Sequence, residues 1–413
     1  MAPQTFSVLM NLLVLSGGLF ALYGLWFCIV GVFGLKRHTP YAQAPPTTRF
    51  AVVVAARNEE KVIGTLVDSL LRQNYPADMF DVFVAPNNCT DNTHQAALRH
   101  GAKIFVPQGV ITSKGDVLAQ LGDMLIKSGK YDAMCVFDAD NVVPPSFLRK
   151  MNNARQSGGL LAQGRREATN PTQTTITSMC AVYYGLVNRF YNGGREALGL
   201  SSLLVGSGFM VSLELLARMG GWRTVTVTED YEFTGQSVLM GEKVHYVAEA
   251  VYYDELPLTF AQSWIQRRRW CTGFTQSMER YCEQLVRYTI KHKSMVAFDM
   301  ALAYVAPVLQ FFSLLFGLAS ALLSAYGVVV FNMMPVTRAI LLAAALGVAA
   351  VLACSSFAWF IVAMDARRLL GGMAKGIALF SLFLLSWLPL TLMGLFFKKT
   401  RWDVIEHHGN ILS

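Results

Sequence analysis

Four long apolar runs decide what this chain of 413 residues can fold into. A membrane-crossing helix needs about 20 mostly apolar residues. Residues 6–35, 296–331, 339–364 and 374–397 each supply that many, and residues 36–295 contain no such run. A soluble stretch therefore sits between a leading membrane helix and a C-terminal membrane cluster. Much of the formal net charge of +8 lies near the boundaries of these runs, where anionic lipid attracts Lys and Arg.

The first run reads as a retained anchor rather than a signal peptide. No Lys or Arg precedes it, it is too long for a signal peptide's apolar core, and Lys36-Arg37-His38 follow it instead of a small-residue cleavage pattern. Basic residues favour the inner side of short membrane loops. Lys36-Arg37, and Lys291 with Lys293, put both ends of the soluble stretch in the cytosol. Arg367-Arg368 and Lys375 ask for the same side, as do Lys398, Lys399 and Arg401. These demands conflict if every run crosses once, so either the long second run or the last run, which carries Pro389, is expected to bend, lie along the interface or re-enter. A multi-pass protein of the cell membrane with a cytosolic domain follows. Nucleic acid is not expected as a partner, because the soluble part has no basic patch interleaved with aromatics. The seven cysteines form no CxxC pair and no metal spacing with His, so they are expected to be reduced and buried.

A linker over residues 39–48 is marked by Pro40, Pro45 and Pro46. Residues 50–56 then form an unbroken, β-branched-rich run, the sign of a strand buried on both faces. Helical spacing at Val62, Leu66 and Leu70 follows. Further strands are expected at 81–85, 103–106 and 133–137, with a helix starting at Ser113. Strands alternating with helices predict an α/β domain built on right-handed βαβ units and an open, parallel-rich sheet. Such sheets bind ligands at the carboxyl ends of their strands. The polar residues at those ends are Arg57, Asn58, Asn87, Asn88, Asp91, Asp138 and Asp140.

Asp138-Ala139-Asp140 places two carboxylates at a strand end, a pattern suited to a hard cation that keeps water ligands and bridges to phosphate. A turn with an Asp cap competes, and Pro144-Pro145 supports it. Thr228-Glu229-Asp230 opens a helix, where Thr followed by acids is favoured in any case. Upstream, Val205-Gly206-Ser207-Gly208-Phe209 allows close backbone approach. Downstream, Gln266-Arg267-Arg268-Arg269-Trp270 joins residues that grip phosphate in bidentate fashion to a flat ring for a sugar. Trp264, Cys271, Phe274, Met278, Tyr281 and Leu285 continue it at helical spacing. Residues 259–294 therefore read as interfacial helices whose first turns present Gln, Arg and Trp to the site.

Four motifs in this order resemble the membrane-integrated family 2 glycosyltransferases, the group of cellulose, chitin and hyaluronan synthases: Ala55-Ala56-Arg57-Asn58-Glu59 at a strand end, the DxD of Asp138 and Asp140, the TED of residues 228–230, and the QxxRW of Gln266, Arg269 and Trp270. The resemblance covers residues 50–274. It implies a GT-A-like catalytic domain over 46–258 between an anchor (1–36) and the interfacial helices, then membrane segments over 295–397 and a tail over 398–413. It further implies that Ala56, Arg57 and Glu59 border a uridine pocket, with Asn87 and Asp91 at the same edge, and that Lys114 helps hold the nucleotide. Asp140 would ligate Mg2+ or Mn2+, with Asp138 beside nucleotide and sugar; Asp230, next to Glu229, would be the general base. Gly206, Ser207, Gly208 and Phe209 would line the acceptor side, Arg268 or Arg269 would meet the pyrophosphate, and Trp270 would stack on the acceptor sugar. Two departures stand out: Asn87 replaces the acidic residue of many relatives, and no FxVT-type gating loop follows Trp270.

The activity so implied is inverting transfer from a nucleotide-diphosphate sugar, a UDP-sugar by the resemblance, onto a growing polysaccharide coupled to translocation. Single addition to a membrane lipid is the alternative. A transporter with a regulatory nucleotide-binding domain is a third reading, disfavoured by the few spans without paired halves.

Overall fold

The computed structural model describes residues 3–36 and 38–397. Arg37, and the tail with Lys398, Lys399 and Arg401, lie outside the described residues. Seven strands form one sheet: β1 (Phe50–Ala56), β2 (Phe80–Pro86), β3 (Lys103–Ile104), β4 (Ala133–Asp138), β5 (Leu161–Ala168), β6 (Phe209–Ser212) and β7 (His245–Asp254). Their order is β3-β2-β1-β4-β6-β5-β7. The first four are parallel, and the register sets Ala55 beside Asp138 and Ala56 beside Pro86, so β1, β2 and β4 end along one edge. β6 runs antiparallel to β4 and β5, while β5 and β7 pair in parallel. The sheet is thus parallel-rich but mixed. The expected strand over 103–106 pairs only at Lys103 and Ile104.

Both faces of β1 are covered, which is why its sequence does not alternate. Phe50, Val52 and Val54 enter one buried cluster; Ala51 and Val53 enter the other, with Met134 and Val136 of β4. In the second cluster Trp222 stacks between Phe233 at 4.0 Å and Phe209 at 5.8 Å.

Among the described residues, three helices are long and apolar enough to cross a membrane: Gln4–Phe33, Met295–Val330 and Val336–Asp365. The fourth apolar run is broken, as Arg367–Ala378 and Phe380–Phe396 meet at a bend of 54°. The first helix is fastened to the soluble domain at its C-terminal end. A Cβ on Gly34 would lie 2.2 Å from the Arg189 carbonyl oxygen, and one on Gly194 2.2 Å from that of Val30. Backbone therefore meets backbone there, over the π-helical turn Val187–Gly193. A buried ion pair adds to the joint. Asp299, on the Met295–Val330 helix, accepts from Arg195 Nε at 2.7 Å and Nη2 at 3.2 Å, and from Trp26 Nε1 at 2.9 Å.

The linker is clasped to the edge of the sheet. His38 Nδ1 lies 3.2 Å from Glu249, and Tyr41 donates to Glu196 at 2.7 Å. Burial pulls the His38 ring down, but Glu249 outweighs it and holds the ring above its ordinary 6.5. A raised histidine contributes stability that is fully present below its unfolded pKa and is lost as pH rises through the folded one. His38→Gln should therefore lower the melting temperature most in mildly acidic buffer and least in mildly alkaline buffer. An equal loss at both would show that the clasp does not depend on His38 charge.

Candidate active site

The site is built where β4 ends. Asp138 is the last residue of the strand, and its Oδ1 receives Lys114 Nζ at 2.5 Å. Lys114 opens a helix, Lys114–Ser128, that is held by a capping box between Ser113 and Asp116. The same ammonium donates to the Gly206 carbonyl at 2.7 Å and lies 4.0 Å from Glu229 Oε1. It is 8% exposed. Burial alone would lower its pKa, but Asp138 and Glu229 raise it, so it stays charged. Gly206 has φ +89° and sits between two acids: a Cβ there would lie 3.9 Å from both Asp138 Oδ2 and Asp230 Oδ2.

Glu229 and Asp230 start the helix Glu229–Leu239, but not as a conventional cap. Thr228 makes no side-chain capping bond, and its Oγ1 is buried without a partner among the described residues. The threonine instead fills the space left by Gly273 of the helix Phe260–His292, where a Cβ would be 2.2 Å from Oγ1. From the other side, Tyr304 donates to the Tyr231 carbonyl at 2.5 Å and stacks on its ring at 4.4 Å. Two helices from the C-terminal part thus hold the acid pair. Burial pushes Glu229 up to about 7, against the pull of Lys114 and with the push of Asp230. Burial also raises Asp230, opposed by the Tyr231 amide and Lys114.

The residues expected at the nucleotide edge take several roles. Ala56 is buried, and its carbonyl receives Asn87 Nδ2 at 3.2 Å. Arg57 and Glu59 are half-buried at the same edge. Asp91 is committed elsewhere: it accepts from the amides of Thr93 at 3.0 Å and Glu60 at 3.1 Å and so ties two loops together. On the expected acceptor side, Gly206 faces the carboxylates, whereas Ser207 is fully buried and the Phe209 ring lies in the core against Trp222. Gly208, at φ +62°, leaves room for the Tyr252 ring, which a Cβ would meet at 2.1 Å.

The three arginines separate as their helical positions require. Arg267 donates to Ser386 Oγ at 2.6 Å, in the second half of the broken fourth apolar run. Gln266, Arg268 and Arg269 remain half-buried. Trp270 stacks on Trp387 at 6.2 Å and meets the edge of Tyr184 at 6.4 Å.

Three residues at the site do not stand out in the sequence: Asn141, Arg166 and Asp254. Asn141 Nδ2 donates to Asp254 Oδ1 at 2.7 Å, and Arg166 Nε donates to Asp254 Oδ2 at 3.1 Å. The available signal was positional, since Asp254 ends β7 as Asp138 ends β4.

Asp138, Asp140, Glu229, Asp230 and Asp254 gather at these strand and helix ends, with Lys114 bonded to Asp138 and Arg166 to Asp254. Among the described residues no three His, Cys, Asp or Glu converge into a metal cage. A donor set of one or two carboxylates suits a Mg2+-type ion that completes its shell with water and phosphate.

Residues 45–273 match the family described as "Glycosyltransferase like family 2". The chain belongs to this family. Its α/β domain is GT-A-like. Among its relatives this family 2 glycosyltransferase is 30% identical over 238 residues to the beta-monoglucosyldiacylglycerol synthase of Synechocystis sp., covering 56% of this chain and 49% of that one. It is 24% identical over 276 residues to the "Probable glycosyltransferase YdaM" of Bacillus subtilis, covering 65% and 64%. The chain therefore spans about half to two thirds of the length of these relatives. The mannosyltransferase PcManGT from Pyrobaculum calidifontis, solved with GDP-Man and Mn2+, shares the fold at a TM-score of 0.61, 18% identity, 95% of this chain and 100% of that one.

Proposed function

We propose that this glycosyltransferase moves a single sugar from a nucleoside-diphosphate donor to a hydroxyl of a membrane lipid, with inversion at the anomeric carbon. The observation that carries the reading is the convergence of Asp138 and Asp230 on the Gly206 turn, where a Cβ would lie 3.9 Å from each carboxylate. The strand-end side receives the donor, and the helix side receives the acceptor. Asp230 takes the proton of the acceptor hydroxyl as that oxygen bonds to the anomeric carbon, while the bond from that carbon to the diphosphate breaks. Asp138 and Asp140 would hold a divalent cation, Mg2+ or Mn2+, which would supply charge neutralisation for the departing diphosphate. Lys114 holds Asp138 in place, Arg268 and Arg269 lie on the diphosphate side, and Ala56, Arg57, Glu59 and Asn87 border the base. No nucleophilic side chain is required.

A lipid acceptor fits better than a growing polysaccharide. The monoglucosyldiacylglycerol synthase relative supports it, and Trp270, the ring expected on an acceptor sugar, stacks on Trp387. The chain lies in the cell membrane with its catalytic domain in the cytosol, the side the basic flanks favour. The test is to incubate membranes with single nucleotide sugars and Mn2+ and to separate the products. One-sugar glycolipid in the organic extract, with matching nucleoside diphosphate released, is expected. A ladder of long saccharides would overturn the lipid reading in favour of a polymerase.

A further inference from the structure

The buried turn after β4 is arranged around Asn141, which is 1% exposed. Its Oδ1 accepts the Asp138 amide at 3.0 Å, and its Nδ2 donates to Asp254 Oδ1 at 2.7 Å and to Asp140 Oδ1 at 3.4 Å. One amide therefore touches both members of the DxD pair and a third carboxylate. Asp254 is held in turn by Arg166, whose Nη2 and Nε bond its other oxygen. Arg166 Nη1 donates to the Val205 carbonyl at 3.1 Å, next to Gly206, and the guanidinium lies 4.3 Å above the Tyr184 ring. Backbone bonds between Val142 and Tyr253, at 2.8 and 2.9 Å, pin the same turn to the end of β7. Asp254 and Arg166 are 2% and 7% exposed, and a buried pair of this kind is tolerated only when its remaining hydrogen-bonding positions are filled.

We propose that Asn141, Asp254 and Arg166 are positioning residues that preset Asp138 and Asp140 for the divalent cation, and that they link this geometry to the Gly206 turn facing Asp230. The proposal rests on the reading of Asp138 and Asp140 as cation ligands. A carboxylate ligand binds tightly only when its own orientation is held by hydrogen bonds from behind, and loss of such a partner typically weakens metal binding or activity by about 10- to 100-fold. Here the partner is a neutral amide. It bonds the Asp140 carboxylate and the Asp138 backbone amide without itself bringing in a positive charge that would compete with the cation. Arg166 offsets the charge of Asp254 through that residue's other oxygen.

The test is Mn2+ binding to the full-length protein in the presence of UDP, read by the loss of the free-ion electron paramagnetic resonance signal, together with the melting temperature. Asn141→Ala and Asn141→Ser should bind Mn2+ about 10- to 100-fold more weakly than the unaltered chain. The serine hydroxyl can still accept from the Asp138 amide, so this variant keeps the turn if alanine does not. Arg166→Lys, which retains a cation but not the fork, should fall between. Unaltered Mn2+ affinity in folded Asn141→Ser, with Asp140→Asn showing lost affinity, would overturn the positioning role and leave the cation reading standing. Unaltered Mn2+ affinity in Asp140→Asn would overturn both.

Discussion

Asp230→Asn should bind its nucleotide and melt much as the unaltered chain does, yet transfer sugar about 10²- to 10⁴-fold more slowly, the loss expected when general-base assistance is removed. The amide is nearly isosteric, and the contacts that place this residue belong to its neighbours: Thr228 against Gly273, and Tyr231 under Tyr304. Asn also serves about as well as Asp at a helix start. If residues 228–230 only began a helix, the substitution would therefore leave transfer near normal. Near-normal transfer would end the general-base role; weakened nucleotide binding would move Asp230 to the donor side. The pH profile offers a second check. Burial raises the Asp230 pKa, so transfer should fall as pH drops through that raised value, because the protonated acid cannot accept the acceptor's proton.

The parallel half of the sheet was legible because β1 and β4 are apolar on both faces, and the DxD because it ends such a strand. β6 was not, since four residues that follow a glycine-rich run carry no periodicity of their own. The acid pair was legible as a helix start, but what holds it there was not: Gly273 and Tyr304 lie 45 or more residues downstream and meet Thr228 and Tyr231 only in the fold. Asp91 bonds two loop amides and Phe209 packs into the core, and one reason kept both from being read in advance. A residue next to a motif can spend its side chain on a loop or on the core, and sequence spacing does not say which way it turns. Asn141, Arg166 and Asp254 come from three separate segments, joined only by the end-to-end placement of β4, β5 and β7.

The second large effect concerns the joint between membrane and soluble parts. Asp299→Ala should destabilise the protein by about 3–5 kcal/mol, the usual consequence of leaving one member of a buried ion pair without its partner. Arg195 and Asp299 are both 0% exposed, so water cannot replace the lost carboxylate, and Trp26 loses its acceptor as well. Replacing both members together, as Arg195→Leu with Asp299→Leu, should recover much of that loss, because a well-packed apolar pair of similar volume is often neutral or better. Melting of the two single variants and the double variant in one detergent checks this. A double variant as unstable as the sum of the singles would show that the pair is not the source of the effect.

The contact of Tyr304 with Tyr231 has a practical meaning for anyone wishing to free the catalytic part from its membrane helices. A chain cut after residue 258 or 294 removes Ala303, which accepts from the Tyr231 hydroxyl at 3.1 Å, and Tyr304, which donates to the Tyr231 carbonyl. The residue adjoining Asp230 would then lose the ring stacked on its own and the partners of both its polar groups. Such a fragment could keep its sheet and its nucleotide edge and still lack a settled place for the acid that acts on the acceptor. Solubility and catalysis are set against each other at a single helix crossing.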